Sequence, residues 1–354
     1  MEVVTELSEQ SSPPTTGSAV TIGAYDGVHL GHRTVLTDLC RRAAEAGLAS
    51  VVVTFDRHPA SVVHPERTPK LLCDLDQKLE LLAEVGVDRT VLIHFDDARA
   101  AETAEAFVLE TLVDALATRL VVVGEDFHFG HGRKGNVELL VEMGRVYGFT
   151  VDGVHLASDT PSGPPISSTR IRGLVADGAV EEAARLLGRP HRVRGTVVAG
   201  DGRGGSELGF PTANLAIPAE LAVPGVGIYA GWYERPSGDR HRAAVSVGRR
   251  PTFYGDEGAL LVEAYLLDFD GDLYGEDARL SFVRRLRDEA TFSSVDELVD
   301  QMHRDVAEAR AVLDDLDDRD DLPSSEVPAS LPGVPASLPG VPASGGAPPG
   351  VGGD

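Results

Sequence analysis

Basic residues are scarce in this chain. Lysine and arginine number 32 against 56 aspartates and glutamates, a formal net charge of -24 at pH 7 over 354 residues. Such a surface repels a polyanion, and no Lys/Arg run interrupts it, so no nucleic-acid partner is expected. A local basic cleft for a small anion remains compatible with that balance. Cysteine is nearly absent as well: Cys40 and Cys73 are the only two, and neither belongs to a CxxC pair. A disulfide scaffold is excluded, and both are read as reduced, structural thiols. No run of about 18 apolar residues occurs, so no membrane-spanning helix is expected. The opening MEVVTELSEQSSPPTTGS lacks the basic start and apolar stretch of a signal peptide. These absences predict a soluble, cytoplasmic protein without a membrane partner; self-association is left open. The GxxxxGK[ST] signature is missing too, which excludes a P-loop kinase.

What is present is an alternation. From Ala19 the apolar runs AVTIGAY, LASVVVTF, VDRTVLIHF, RLVVVGEDF and FTVDGVHL are separated by helical stretches such as HRTVLTDLCRRAAEAG and NVELLVEMGRVYG. Strands joined by helices of that length form a parallel sheet with right-handed crossovers, hence a Rossmann-like first domain. After Arg189-Pro190 the period falls to two in HRVRGTVVAG, GIYAGWYER, HRAAVSVG, LLVEAYLLDF and ARLSFVRRL. Antiparallel strands of that kind close into a small barrel. One amphipathic helix follows, SVDELVDQMHRDVAEARAVLDDL, and then the proline-rich repeat VPASLPGVPASLPGVPAS, which reads as disordered rather than coiled coil. The predicted domains are a disordered leader over 1–18, a first domain over 19–188, a second over 189–318, and a disordered tail over 319–354.

Two places carry chemistry. The stretch GAYDGVHLGH, Gly23 to His32, joins the first strand to the first helix, where open α/β sheets bind ligands. His29 and His32, three apart in the first helical turn, share a face at a terminus that suits a phosphate. Imidazole donors there could stabilise charge on a phosphorus under attack. Taken alone, the stretch is equally a plain Asp-Gly turn with two surface histidines, or a zinc pair. TFDRHP and GEDFHFGHGRKG end two further strands, and PPISSTRIR puts Arg170 and Arg172 in the first turns of a helix. Two arginines oppose the helix dipole unless an anion lies between them, which points to a triphosphate.

In the second domain, GDGRGGSELGFPTANL opens with a loop fit to wrap phosphates. Thr212 and Asn214, two apart, would point one way from an extended strand and offer oxygen ligands of the kind Mg2+ takes beside phosphates. An ordinary Pro-Thr turn would read the same. In LLVEAYLLDF both faces are apolar, so Glu263 is expected in the middle of a buried strand, either paired with Arg249 or Arg250 or serving as a general base.

TIGAYDGVHLGH, TFDRHP, GEDFHFG and ISSTRIR together resemble the adenylyltransferase module of the bacterial bifunctional riboflavin kinase/FMN adenylyltransferases (FAD synthetases), a branch of the HxGH nucleotidyltransferases. GFPTANL, GVGIYAGWY, VSVGRRPTF and LLVEAYLLDF resemble their riboflavin kinase module. The resemblance implies an α/β Rossmann-like HxGH nucleotidyltransferase domain followed by a six-stranded antiparallel β-barrel riboflavin kinase domain with a C-terminal helix. For the first site it implies ATP contacts from Gly23, Asp26, His29, His32, Asp126, Ser168, Thr169 and Arg172. For the second it implies Mg-ATP held by Thr212 and Asn214 under the loop Gly202, Arg203, Gly204 and Gly205, with Glu263 taking the proton of the riboflavin 5'-hydroxyl. Substrates and products would be ATP, riboflavin, FMN and FAD. Family members often have Asn-Phe where this chain has Ala24-Tyr25, and Asn at the Asp126 position. A chain keeping only the kinase step, or one holding flavin without turnover, would share part of the resemblance; the intact HxGH and ISSTRIR strings argue against the former.

Overall fold

The computed structural model describes residues 1–5, 14–155, 157–160, 163–200, 210–249 and 260–317. Six strands form the first sheet: β1 (Glu2–Val4), β2 (Ser18–Ile22), β3 (Ala49–Phe55), β4 (Arg89–Ile93), β5 (Thr118–Gly124) and β6 (Thr150–Val154). Their order is β1-β4-β3-β2-β5-β6, with every pairing parallel. Strand alternation sends Val20, Val51 and Val121 to one face and Ala19, Val52 and Val122 to the other, all fully buried. Helices α1 (Leu30–Ala46), with Leu36 and Leu39, and α3 (Leu75–Val85), with Leu81 and Leu82, cover the second face. Each such buried leucine contributes about 1.5–3 kcal/mol. The first face is covered by α5 (Ala104–Phe107), its continuation over Val108–Ala115, and α6 (Val137–Tyr147).

From β2 the chain winds outward to β3 and β4, then returns to place β5 on the other side. The order therefore reverses between β2 and β5, and the crevice beyond their C-terminal ends is the place where such sheets take ligands.

Two short helices, α2 (Ala60–Val63) and α4 (Asp97–Ala101), were not anticipated, and Val108–Ala115 winds as a wide π-helix where an ordinary helix was expected. The stretch STRIRGLVADGAVEEAARLLG splits into α7 (Ser168–Ala176) and α8 (Val180–Leu187). The leader needs correction. Glu2–Val4 is an edge strand on β4, and Glu2 is tied to Arg89 at 2.8 Å, while residues 6–13 lie outside the described residues.

The second domain is a closed barrel in the order β10-β11-β8-β7-β12-β9. Its strands are β7 (His191–Val198), β8 (Ala213–Ala216), β9 (Gly227–Glu234), β10 (Arg240–Arg249), β11 (Leu260–Leu266) and β12 (Asp277–Arg287). Alternating residues fill it, among them Val193, Leu215, Tyr233, Val245, Val262 and Phe282. Helix α9 (Val295–Asp317) lays Ala309, Val312 and Leu313 on Ala230 and Trp232 outside the barrel, and Asp305 on α9 takes both arms of Arg287 at 2.8 and 2.7 Å. The tail, 318–354, lies outside the described residues.

The two domains share structure. Leu71 pairs with Leu221 as an isolated parallel bridge, with Leu71 N–H donating to the Glu220 carbonyl and Ala222 N–H to the Leu71 carbonyl. Glu80 of α3 accepts from Arg194 of β7 and Arg279 of β12 at 2.5 and 2.9 Å.

Candidate active sites

The first cleft is built on the turn after β2. Gly27 has φ +79°, and a Cβ there would come within 2.9 Å of the Leu72 side chain, so no larger residue fits. Tyr25 and Val28 also have positive φ, at 49° and 37°. For a β-branched residue that conformation costs about 1–3 kcal/mol and persists only when the surroundings impose it. Val28 is fully buried, and the Tyr25 hydroxyl meets that of Thr21 at 2.7 Å. The hydroxyl of the buried Tyr25 is thus accommodated by a threonine on β2.

His29 is the N-cap of α1. Its Nδ1 accepts the His32 N–H at 3.2 Å, and the two rings stack with centroids 3.6 Å apart. Burial first, then the charges of Arg189 and Arg172, push the His29 imidazole down to about 3. Burial, His29, Arg172 and Lys78 together hold His32 well below its ordinary value. Both rings are therefore neutral near pH 7. With Nδ1 accepting, the His29 proton sits on Nε2, which is the available donor.

Asp26 ties the site together. Its Oδ1 accepts the Leu72 N–H at 2.9 Å, its Oδ2 pairs with Arg172 at 2.7 Å, and its carbonyl accepts the Ser168 hydroxyl at 3.0 Å. His29, His32, Asp26, Ser168 and Arg172 are thus joined where β2, α1 and α7 meet, with Gly23 at the start of the turn. Thr169 is exposed on the first turn of α7, and Asp126 is exposed on the turn after β5, outside this network. The argument from the two arginines requires correction. Arg170 is held by Asp159 at 3.1 and 2.8 Å and Arg172 by Asp26, so protein carboxylates already relieve the helix terminus.

Sequence reasoning missed two residues here. Lys78 of α3 lines a small cleft of about 20 Å³ with Asp26, His58 and Cys73. Arg189 donates to the Gly27 carbonyl at 2.7 Å from the junction between the domains. Spacing could not reveal either, since one is an ordinary helix residue and the other an ordinary linker residue.

The second cleft, about 1370 Å³, opens on the barrel and is lined by Gly200, Thr212, Asn214, Glu263, Tyr265 and the segment from Arg287 to Val295. Asn214 and Glu263 are register partners on β8 and β11, so both side chains emerge on one face. Asn214 is buried, and a Cβ at Gly200 would meet its side-chain nitrogen at 2.3 Å, so a larger residue there would displace that carboxamide. Glu263 departs from expectation. Val262, Ala264 and Leu266 fill the barrel, whereas Leu261, Glu263 and Tyr265 are half-buried and face the cleft. The apolar residues beside Glu263 are the wall of the cleft rather than a second core. Gly202, Arg203, Gly204 and Gly205 lie outside the described residues, as does Arg250.

Among the described residues no three His, Cys, Asp or Glu side chains cluster to hold a metal ion. The hydroxyl of Thr212 and the carboxamide of Asn214 fit Mg2+ in its usual setting, where one or two protein oxygens act with phosphates and water.

Comparison with known proteins accords with both halves. The model of the family described as FAD synthetase matches residues 11–170, and that of riboflavin kinase matches residues 187–313. A bifunctional riboflavin kinase/FMN adenylyltransferase of Listeria monocytogenes is 37% identical over 300 residues, 84% of this chain and 93% of that protein. Its Escherichia coli counterpart is 36% identical over 314 residues, 88% of this chain and 97% of that protein. A crystal structure from Streptococcus pneumoniae described as a macrolide-efflux protein superposes with a TM-score of 0.77 at 32% identity, covering 88% of this chain and 99% of that one. Among the described residues no helix is long and apolar enough to cross a membrane.

Proposed function

This chain belongs to the bifunctional riboflavin kinase/FMN adenylyltransferase family, and from that premise we propose how its two clefts divide the chemistry. In the barrel, Glu263 accepts the proton of the riboflavin 5'-hydroxyl, whose oxygen attacks the γ-phosphorus of ATP. The bond from that phosphorus to the β,γ-bridging oxygen breaks, giving FMN and ADP. Thr212 and Asn214 orient the phosphates, and Mg2+ held with them would neutralise phosphate charge. At the sheet edge, an oxygen of the FMN phosphate attacks the α-phosphorus of a second ATP, and pyrophosphate leaves with the electron pair of the broken bond. His29 Nε2–H and His32 act as neutral donors, while Ser168, Thr169 and Arg172 hold the phosphate chain; Arg172 does so by sharing its fork between Asp26 and the substrate. Gly23 lets the nucleotide approach the backbone, and Asp126 lies toward the adenosine or flavin side. The loop Gly202 to Gly205 belongs to the kinase site in the same reading, and the chemistry is assigned to the cytoplasm, where ATP and Mg2+ are supplied.

The observation that carries this reading is the pair of separate side-chain clusters, one with Glu263 in register with Asn214 on the wall of the barrel cleft and one with His29 stacked on His32 at the sheet edge, where Arg172 is paired with Asp26. Incubation with riboflavin, Mg2+ and ATP should yield both FMN and FAD on chromatography. The Glu263→Ala variant should lose about 10²–10⁴-fold in FMN formation and still make FAD from supplied FMN. His29→Ala should do the reverse. Loss of both activities in either variant at unchanged thermal stability would contradict the division.

A further inference from the structure

Lys78 is only 8% exposed. Its Nζ donates to the Phe55 carbonyl at 2.7 Å and to the Ala24 carbonyl at 3.4 Å. The Phe55 carbonyl ends β3 and the Ala24 carbonyl lies just past the end of the adjacent parallel strand β2, and the turns that follow these strands carry His58 and His29. Among the described residues, no carboxylate forms an ion pair with this ammonium. A buried cation that makes no direct ion pair is unusual, because desolvation disfavours it and neutral carbonyls offset that only in part. Burial pulls the Lys78 ammonium below its ordinary value. Asp26 and Asp56 lie within electrostatic reach and oppose that, but each is already paired, Asp26 with Arg172 and Asp56 with Arg57 and His94, while burial pushes the Cys73 thiol up to about 12 and keeps it protonated. The charge is felt at the site all the same. Burial and then neighbouring charges, Lys78 among them, hold both His32 and His58 below their ordinary values.

A buried cation whose neighbouring carboxylates are already paired with other groups, at the C-terminal edge of a parallel sheet and facing the cleft of Asp26, Asp56 and His58, is matched by an anionic ligand. We propose that Lys78 is a positioning residue for adenylyl transfer, clasping the ends of β2 and β3 and directing its positive charge at the nucleotide phosphates as charge shifts onto the departing pyrophosphate. This rests on the assignment of adenylyl transfer to the sheet-edge cleft.

The test uses the full chain and two uncharged variants. Lys78→Met removes both charge and donors, whereas Lys78→Gln keeps an amide donor for the Phe55 carbonyl and removes only the charge. Both should lose about 10–100-fold in kcat for FAD formation from FMN, with KM for ATP shifted less than threefold. FMN formation from riboflavin, measured on the same preparations, should stay within twofold, and an unchanged melting transition of the full chain reports that the first domain is still folded. Wild-type FAD formation in Lys78→Gln would overturn the proposal, because a clasp alone would then suffice. Should Lys78→Met fail to fold, the Gln variant still decides. A parallel His29→Ala variant separates the two failures: if it retains FAD synthesis, the cleft assignment itself falls, whereas a dead His29→Ala beside an active Lys78→Gln removes only the role of Lys78.

Discussion

The two clefts differ in how they stand before an anion arrives. At the sheet edge the charges are already committed to one another: Arg172 holds Asp26, Arg170 holds Asp159, and the space lined by Asp26, His58 and Lys78 is about 20 Å³. On the barrel the cleft measures about 1370 Å³, and Glu263, Thr212 and Asn214 stand along its wall. A packed, internally paired site keeps its cations oriented, but a ligand must compete with the existing partners. An open site needs only to be filled. The difference follows from position, since the first cleft is pressed between the turns after β2 and β3, the segment around Leu71 and Cys73, and α3, while the second faces outward under α9.

Substitution of the shared arginine probes that contrast most sharply. Lys in place of Arg172 can still pair with Asp26 but cannot present a fork to two partners. Arg172→Lys should therefore lose about 10–100-fold in FAD formation while riboflavin phosphorylation is unchanged, as steady-state assays of both steps would show. Equal loss in both would mean that the clefts are not independent.

A smaller effect should appear on acidification. Burial first, with neighbouring charges, pushes His29 down to about 3, and burial pushes His191 down to about 4. Both lie below the ordinary histidine value, so between those limits and about 6.5 the unfolded chain binds more protons than the folded one. Stability from these groups is present above about pH 6.5 and falls as the pH drops toward 4. Thermal melts across that range should decline toward acid, and His191→Gln should make the decline shallower. A melting temperature flat from pH 7 to 4.5 would show that these rings are not buried in solution.

The smallest effect should come from the contact between domains. Glu80 joins Arg194 and Arg279, yet its side chain is 41% exposed, so solvent screens the network. Glu80→Gln should cost at most about 1 kcal/mol, roughly 2–4 °C in melting temperature, with less effect at high salt and both activities retained. A larger loss confined to FAD formation would show that the barrel braces the sheet-edge cleft through α3.

Much of the fold was legible in residue order. Alternating strands and helices up to Leu187 announced a parallel sheet because period and segment length are local properties, and the period-two runs after Pro190 announced a barrel for the same reason. Strand β8 was harder, since Ala213–Ala216 is only four residues long, too short for a period to register. The edge strand Glu2–Val4 is hidden in a polar, Pro/Ser/Thr-rich leader that reads as disordered, and its partner strand β4 lies some 87 residues away. Both histidines, Ser168, Arg172, Thr212 and Asn214 stand out as candidates because each sits in a compact string near a strand or helix end, and Glu263 because it is a lone carboxylate in the middle of an apolar strand.

Sequence by itself determined the two architectures, their order and the stretches proposed to carry the chemistry, because periodicity and turn residues act over a few neighbouring positions. Only the tertiary structure decided which charges meet. Asp26 and Arg172 are separated by 146 positions, Lys78 and the Phe55 carbonyl by 23, and Arg189 and the Gly27 carbonyl by 162. Whether Glu263 lay in a core or on a cleft wall was likewise settled by barrel closure, which made one face of β11 interior and left the other facing the cavity. Ion pairing and burial depend on distance through space, and linear order constrains that distance only after the chain has folded.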